Sequence, residues 1–288
     1  MSNSPVLGII GGSGLYDMPG LEHNEERRIS TPFGAPSSPI VLGELGGKRI
    51  AFLARHGIGH TISPTYVNYR ANIYALKSLG VRFVAAVSAC GSLREDYAPG
   101  HIVIPDQLFD LTHLRARSFF EEPGLVAHVG VADPFCNPFR KQLQSACEKA
   151  GGTVHPDGSY ITVEGPRCST RIESNTFGSW GLSIIDMTTA PEAFLAREAE
   201  LCYAVMAHVT DYDVWHIKPV SVDMVMQTMQ KNMKLAQESI RQLAQSLDED
   251  QECDCDNALA TALITNRSHM APAARKKFGI LVDKYISK

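Results

Sequence analysis

Short apolar segments alternate along the chain with stretches of helical periodicity. The runs 6–10, 49–54 and 83–88 end at glycines or polar clusters, which is typical of buried strands. Residues 68–79 and 135–150 show helical spacing and stop before glycine. Strands are also predicted at 101–104, 158–163, 182–187 and 202–210, and helices from Pro191 and over 221–247. This alternation predicts a layered α/β fold around a largely parallel sheet.

The pattern changes near residue 250. Residues 248–257 form an acidic polar segment, and the sequence after it is short and helical in character. We therefore divide the chain into one α/β domain, residues 1–250, and a C-terminal appendage, residues 251–288. No internal repeat is present in the sequence.

The composition narrows the class of protein. With 44% hydrophobic and 20% charged residues, the chain is neither disordered nor fibrous. Its 27 Lys and Arg against 31 Asp and Glu give a net charge of −4, which argues against a nucleic-acid partner. No segment reaches the roughly 18 apolar residues of a membrane span, and the N-terminus lacks the basic region of a signal peptide. We expect a cytoplasmic protein with no membrane partner.

Two of the seven cysteines, Cys253 and Cys255, form a Cys-x-Cys motif. Five lie singly in apolar stretches, where buried reduced thiols are expected. Cys253 and Cys255 are separated by one residue, so a disulfide between them would close a small strained ring. A zinc site would need two further ligands, and none is evident near them in the sequence. The sequence therefore predicts no metal site.

Polar groups follow several predicted strands and could bind an anion. The first group is Gly11–Gly14, where glycines and the hydroxyl of Ser13 could present donors to a phosphate. It lacks the full dinucleotide fingerprint and the lysine of a P-loop, so a tight turn is the alternative. The second is Arg55 and His56, with His60 four residues on, at the carboxyl edge of a strand. Here the alternative is a surface arginine beside histidines that bond to backbone carbonyls.

Further hydroxyl groups and a pair of carboxylates stand at later strand ends. Residues 88–92 offer backbone and hydroxyl donors but no G-x-S-x-G elbow, and Cys90 is more simply a buried thiol than a nucleophile. Thr188 follows the predicted strand 182–187 and offers another hydroxyl. Asp211 and Asp213 could converge on one ligand, and burial would then raise a pKa so that one carboxyl could donate a proton. They could equally cap a turn.

Eight segments occur in the order found in one known family. They are GIIGGSGL, TPFG-x-PS, LARHG-x-x-H, ACGSLRE, PG-x-IVIPDQ, VEGPR, MTT-x-PE and TDYD-x-W. Over about residues 6–247 the chain closely resembles the methylthioadenosine phosphorylase branch of the trimeric purine nucleoside phosphorylase family. The resemblance implies a single α/β domain with a mixed, barrel-like central sheet flanked by helices. It also implies phosphorolysis of S-methyl-5′-thioadenosine to adenine and 5-methylthioribose 1-phosphate, with inorganic phosphate as co-substrate and no metal or organic cofactor.

The resemblance also implies roles for individual residues. Phosphate would be bound by Ser13, Arg55, His56, Ser88, the Ala89 backbone and Thr188. The nucleoside would be bound by Met187 along the ribose, by Asp211, Tyr212 and Asp213 at the purine, and by Cys168 and the neighbouring subunit's His128. Ser169 and Val222 would shape substrate choice. Arg55 would be the only full cation on the phosphate, and we expect Arg55→Ala to raise the phosphate requirement and lower turnover while leaving the fold intact. The role of His128 implies a homo-oligomer, either a trimer or a hexamer.

The chain departs from the family pattern in three places. Cys168 stands where an aromatic residue is common, so the adenine-stacking face would come from elsewhere, for instance Phe194 or Tyr203. Asp186 precedes Met187 and would add a carboxylate near the sugar. The Cys-x-Cys tail is absent from animal members of the family and resembles that of archaeal hexameric members.

Three other functions are compatible with parts of the pattern. A phosphorylase for 6-oxopurine nucleosides such as inosine, guanosine or methylthioinosine would be better served by an asparagine than by the aspartate pair. A hydrolytic nucleosidase would not need the phosphate-binding groups. A non-catalytic nucleotide-binding protein would show no turnover.

Overall fold

The computed structural model describes residues 4–11, 18–216 and 222–286, apart from the side chains of Val222 and Met224. Ser13 therefore lies outside the described residues, and so does the Val222 side chain. Eleven strands and six helices are found in the described residues. They are β1 (Leu7–Gly11), β2 (Glu22–Arg27), β3 (Ile40–Leu45), β4 (Lys48–Ala54), α1 (Tyr69–Ser78), β5 (Phe83–Ser92), β6 (Ile102–Val103), β7 (Gln107–Leu111), α2 (Asn137–Lys149), β8 (Val154–His155), β9 (Ser159–Val163), α3 (Arg171–Ser179), β10 (Ile184–Asp186), α4 (Thr189–Glu198), β11 (Cys202–Asp211), α5 (Val222–Ser246) and α6 (Pro272–Ile286).

The strands form one mixed sheet. Its main path runs β2-β3-β4-β1-β5-β10-β9-β7, and β11 pairs with both β5 and β6. Strand β5 is parallel to β1 and β11, whereas β10 is antiparallel to it, and β3 and β4 form an antiparallel hairpin. This mixed sheet agrees with the family resemblance. Six of the ten strand pairings found in the described residues are parallel, in keeping with the largely parallel sheet expected from the pattern. The antiparallel β3–β4 hairpin forms because Gly46 and Gly47, both with positive φ, turn β3 directly back into β4.

Strands β5 and β11 are the longest in the sheet and form its centre. They run in parallel from Phe83 and Cys202. On its other edge β5 pairs with β1 as far as Ala86 and with β10 only from Gly91 onward. In the described part of the chain, residues 87–90 therefore have no strand on that edge. We call these four residues the β5 opening.

The sequence pattern predicts those elements whose apolar side chains are buried in the core. Every element expected from apolar periodicity is present, with ends shifted by up to four residues. Strands β2, β3, β7 and β8 and helix α3 were not expected. Strand β2 has the sequence Glu-His-Asn-Glu-Glu-Arg and is exposed throughout, so it carries no apolar signal. Across the described residues, no helix combines the length and apolarity that crossing a bilayer requires.

The C-terminal residues are part of the main core. Phe278, Leu281 and Val282 of α6 lie in the same buried cluster as Leu76 of α1. The Phe278 ring is 5.6 Å from that of Phe120. Residues 251–286 therefore share one hydrophobic core with the α/β domain.

The same tail corrects the expectation about the cysteines. The sulfurs of Cys253 and Cys255 lie within 4.8 Å of those of Cys136 and Cys202, which precede α2 and begin β11. The expectation that no further ligands accompany the Cys-x-Cys pair is therefore wrong. Cys136 and Cys202 are distant in sequence and were indistinguishable there from ordinary core thiols.

A core substitution in the tail should destabilise the whole protein. Phe278 is 1% exposed, so Phe278→Ala is expected to lower the free energy of unfolding by about 3–5 kcal/mol. Ile280 of the same helix is 41% exposed, and Ile280→Ala should change it by only about 0.5 kcal/mol. Denaturant unfolding of both variants measures this difference, and equal stabilities would show that α6 is not part of the core.

Candidate active site

A cavity of about 480 Å³ lies at the carboxyl ends of β5 and β11. In an α/β sheet this edge is where ligands bind. Ten of the residues to which the family resemblance gives a role line it together. They are Arg55, His56, Ser88, Ala89, Cys168, Ser169, Met187, Thr188, Asp211 and Asp213.

Two predicted substrate-binding residues lie elsewhere. The Tyr212 hydroxyl donates a hydrogen bond to the backbone carbonyl of Glu95 at 3.1 Å, and its ring stacks on His216. Tyr212 does not line the cavity, so a direct contact with substrate is not supported. His128 is exposed, and its backbone N–H bonds to the carbonyl of Ala262 at 2.9 Å. Within one chain His128 is not part of the cavity, which leaves open its predicted action on a neighbouring subunit.

The β5 opening gives one end of the cavity its hydrogen-bonding groups. Ser88 is buried and its hydroxyl lies 2.9 Å from that of Tyr160, whereas Ala89 is exposed to the cavity. Thr188 precedes α4 and lines the same space. Backbone that has no strand partner on this edge among the described residues, together with two hydroxyls, suits an oxyanion.

Arg55 is bound within the protein before any ligand arrives. Its Nε and Nη2 each donate to a carboxylate oxygen of Glu192 at 2.8 Å, and the two side chains are 1% and 0% exposed. Tyr203 also donates to Glu192. Burial alone would lower the pKa of Arg55, but the carboxylate of Glu192 raises it overall, so the guanidinium stays charged. The expectation that Arg55 can be removed without structural consequence is therefore wrong.

His56 is held in one tautomer. Its Nδ1 lies 2.9 Å from the carbonyl of Ile62, so Nδ1 carries the hydrogen and Nε2 is an acceptor. Burial, and then the charge of Arg55, lower the pKa of His56 to about 4. The ring is neutral at pH 7. A hydrogen bond between Nε2 and a phosphate oxygen therefore needs a proton that the unliganded ring does not carry.

The two aspartates differ in what they bond to. Asp211 accepts from the Thr210 hydroxyl at 2.7 Å and from the Asp213 backbone N–H at 2.8 Å. Asp213 Oδ2 is buried near the Ser174 hydroxyl, and neither atom makes a hydrogen bond of ordinary geometry among the described residues, although this hydroxyl lowers the pKa of Asp213. Burial raises the pKa of both carboxyls, so that one of the pair can hold a proton. Asp211 thus does hold the turn, and both aspartates line the cavity.

A glycine makes room for this pair. A Cβ on Gly91 would lie 3.2 Å from both Asp211 Oδ1 and Asp213 Cβ, tighter than ordinary van der Waals contact. Gly91 is also the first residue of β5 to pair with β10. The same residue therefore ends the β5 opening and admits the aspartates beside it.

Asp186 orders the segment that follows it. Its carboxylate accepts hydrogen bonds from the hydroxyls of Thr162, Thr188 and Thr189 and from the backbone N–H groups of the last two. Burial raises its pKa, opposed by these bonds. Both carboxylate oxygens accept hydrogen bonds from the protein. Asp186 therefore positions Thr188 and does not present a free carboxylate to a sugar.

Arg115 holds the same segment from the other side. It is buried and donates to the backbone carbonyls of Met187 and Ala190, the latter at 2.8 Å. It also pairs with Glu164 at 3.0 Å. Neither Arg115 nor Glu164 was singled out from the sequence, because they lie 49 residues apart and no local pattern joins them.

The rest of the cavity wall is apolar and comes largely from α5. Met226, Met229 and Met233 line it, with His208 of β11 beneath. Both ring nitrogens of His208 lack a partner in the described part of the chain, and burial lowers its pKa to about 4. No Phe, Tyr or Trp is among the described residues that line the cavity.

This wall corrects the expectation of an aromatic stacking face and agrees with the expectation that Cys90 is a buried thiol. Tyr203 is buried against Glu192, and Phe194 is not among the lining residues, so neither supplies a stacking face. Burial raises the pKa of Cys90 well above its usual range, and the nearby carboxylate of Asp186 adds to this. Cys90 is therefore a thiol at neutral pH and unsuited to act as a nucleophile.

Comparison with known proteins gives one consistent result. The profile of the phosphorylase superfamily matches residues 6–245. The chain is 48% identical over 284 residues to the S-methyl-5′-thioadenosine phosphorylase of Koribacter versatilis, covering 98% of this chain and 97% of that protein. It is 52% identical over 262 residues to the enzyme of the same name from Hyperthermus butylicus, covering 90% of this chain and 95% of that one.

Solved structures agree with these sequences. A methylthioadenosine phosphorylase from an antarctic soil metagenomic library superposes with a TM-score of 0.93 at 44% identity, over 98% of this chain and all (100%) of that one. The methylthioadenosine phosphorylase of Schistosoma mansoni in complex with adenine gives a TM-score of 0.83 at 38% identity, over 89% of this chain and 96% of that one. The single-domain mixed α/β fold expected from the sequence is confirmed.

Removing Arg55 should destabilise the fold and weaken phosphate binding together. Arg55→Ala leaves Glu192 buried without its cation, so the free energy of unfolding should fall by about 3–5 kcal/mol. Its phosphate KM should rise about 10- to 150-fold, the value of a lost charge-assisted bond.

A double-mutant cycle separates the two effects. Adding Glu192→Ala to Arg55→Ala should cost far less stability than Glu192→Ala costs alone, while phosphate KM stays high. Denaturant unfolding and initial rates at varied phosphate measure both. Stability effects that simply add, to within about 0.5 kcal/mol, would contradict the pairing.

Proposed function

The chain belongs to the phosphorylase superfamily, and from this we propose that it is a pentosyltransferase that cleaves S-methyl-5′-thioadenosine with inorganic phosphate. The products are adenine and 5-methylthioribose 1-phosphate, which places the enzyme in purine and methionine salvage. One observation carries the proposal above all. A single cavity joins the β5 opening to two aspartates of raised pKa, of which Asp211 is half-buried and Asp213 buried. Relatives that are 48% and 52% identical over almost the whole chain bear the name of this activity.

The reaction separates charge, and the two ends of the cavity suit the two charges. Breaking the bond between C1′ and N9 leaves positive charge on the ribose and negative charge on the purine. Phosphate at the β5 opening, held by Ser88, the Ala89 backbone, Thr188 and Arg55, stabilises the first charge. One of its oxygens then forms the new bond to C1′. Fixed donors of this kind lower the barrier because they need no rearrangement during the reaction.

The aspartates serve the leaving purine. A protonated Asp211 donates its proton to N7 as the bond to N9 breaks, which neutralises the leaving group. A carboxylate oxygen of Asp213, which lines the same cavity, accepts a hydrogen bond from the 6-amino group. A 6-oxopurine would instead place a carbonyl oxygen against that oxygen. The pair therefore favours adenine over hypoxanthine or guanine.

The apolar wall suits the remainder of the substrate. Met226, Met229 and Met233 offer flexible thioether surface, which adapts to an apolar methylthio group better than to a hydroxyl. Ser169 lines the same cavity, in keeping with its predicted part in specificity. The same role for Val222 remains a prediction, as does the phosphate contact of Ser13.

Assembly into a trimer or hexamer completes the proposal. His128 lies outside its own chain's cavity, so its predicted contact with the 5′ group requires a neighbouring subunit. Large apolar side chains such as Ile58, Tyr66 and Leu114 are exposed by 68%, 83% and 76%, as expected of surface that another subunit covers. A cytoplasmic location and a reaction without metal or organic cofactor remain predictions from the sequence.

A substrate panel tests the activity directly. S-methyl-5′-thioadenosine, adenosine and inosine are assayed with and without phosphate. We expect cleavage only with phosphate and a kcat/KM at least about 100-fold higher for methylthioadenosine than for inosine. Asp213→Asn should narrow that gap, since an amide can turn its NH₂ toward O6.

Each alternative function gives a different result in this panel. Cleavage without phosphate would indicate a hydrolase, and equal rates on inosine would indicate a 6-oxopurine phosphorylase. Binding without turnover would indicate a non-catalytic protein. Unchanged base preference in Asp213→Asn would mean that the aspartates only hold the turn.

Mixed oligomers test whether His128 acts between subunits. His128→Ala and Asp211→Asn oligomers should each have low kcat/KM. Hybrids formed by co-expression should regain activity, because an intact Asp211 in one chain then meets an intact His128 from the next. Hybrids no more active than the average of the parents, or a fully active monomer by light scattering, would contradict this arrangement.

A further inference from the structure

Four cysteines meet at the end of the molecule opposite the proposed active site. Their sulfur atoms, from Cys136, Cys202, Cys253 and Cys255, all lie within 4.8 Å of one another. In a tetrahedral centre with Zn–S bonds of about 2.3 Å, the sulfurs lie about 3.8 Å apart. We propose that these four thiolates bind one structural Zn²⁺ per chain.

Two of the sulfurs are fixed by the sheet. Cys202 is the first residue of β11, and its N–H donates to the carbonyl of Arg82 at 2.9 Å. Cys136 immediately precedes α2, and its N–H donates to the carbonyl of Tyr203 at 2.9 Å. Both side chains are buried, at 5% and 0% exposure for Cys136 and Cys202. Backbone bonds therefore bring two thiols that are 66 residues apart in sequence to one point.

The tail supplies the other two sulfurs and is held by contacts of its own. Arg82 donates to the carbonyl of Gln251 at 2.8 Å and pairs with Asp256 at 3.2 Å, on either side of the Cys-x-Cys pair. Cys253 Sγ then lies 3.3 Å from that of Cys202. Because both halves of the cluster are positioned independently of the sulfurs, the site is preorganised for an ion.

Polar groups around the sulfurs fit thiolates. Four thiols lose their protons when they bind the ion, so four thiolates and one Zn²⁺ carry two net negative charges. Arg197 Nη1 lies 3.4 Å from Cys255 Sγ, and Gln251 Nε2 lies 3.7 Å from Cys136 Sγ. Donors to coordinated sulfur are the usual outer groups of a metal centre. Two disulfides would be neutral and would offer this guanidinium no charge.

The ligand set and its surroundings select the metal and its role. Four sulfur ligands in tetrahedral arrangement favour zinc over harder ions such as Mg²⁺ or Ca²⁺. Cys253 is only half-buried, and a surface hollow lined by acidic residues such as Asp250 and Asp254 opens beside it, which gives a cation a path. The ten residues of β11 place the cluster about 30 Å from Asp211, too far to act on substrate. The ion would instead join the C-terminal tail to the central strand.

Metal analysis of the untagged protein tests the site. Protein produced with zinc available and purified without chelator should contain about one zinc per chain, as measured by inductively coupled plasma mass spectrometry. Cys202→Ser and Cys255→Ser should lose it. Cys147→Ser, which alters another buried cysteine of α2 outside the cluster, should keep it.

Two further measurements on the wild-type protein test the proposal even if the cysteine variants fold poorly. Wild-type protein reconstituted with Co²⁺ should show the visible absorption of tetrahedral cobalt thiolate. Chelation should lower the melting temperature of the wild type but leave kcat/KM of the protein that stays folded unchanged. Protein without metal, disulfides between these cysteines in non-reduced peptide maps, or zinc retained in Cys255→Ser would each overturn the proposal.

Discussion

Along one edge, strand β5 pairs first with β1 and then with β10. The site depends on the β5 opening, the four residues of β5 that lie between these two pairings. The edge belongs to β1 up to Ala86 and to β10 from Gly91. A strand that kept one neighbour throughout would use its backbone groups within the sheet. In the described part of the chain the interruption leaves residues 87–90 without a strand on that edge, and all four line the cavity, while β11 on the other edge continues to Asp211. The same pairing pattern thus positions both the phosphate-binding end and the purine-binding end.

Buried charges hold this interrupted sheet in shape. The Arg55–Glu192 pair lies next to the opening, Asp186 orders the Thr188 segment, and Arg115 binds the same segment through its carbonyls. Each of these ions has partners within the protein, as a charge in a low-dielectric interior requires. Substrate therefore meets groups that are already oriented. Preorganised groups of this kind account for most of the rate gain in many enzymes.

The local sequence pattern predicted the features that depend on residues close together in the chain. Apolar periodicity located β1, β5 and β11 because their side chains are buried on both faces, and strand ends located Ser88, Thr188 and Asp211 because ligands bind there. The family's motifs added roles that spacing alone left open. Long-range partners were beyond reach. Glu192 lies 137 residues from Arg55, and Cys136 and Cys202 looked like core thiols until the chain was folded.

The account rests on phosphate binding at the β5 opening while the purine faces the aspartates. A crystal structure of the enzyme with adenine and phosphate tests this most directly. It should show phosphate oxygens about 3 Å from the Ala89 N–H and the Thr188 hydroxyl, and adenine N7 and N6 at the same distance from Asp211 and Asp213. Phosphate bound away from residues 87–90, or adenine with its N7 and N6 edge turned from the aspartates, would contradict the account.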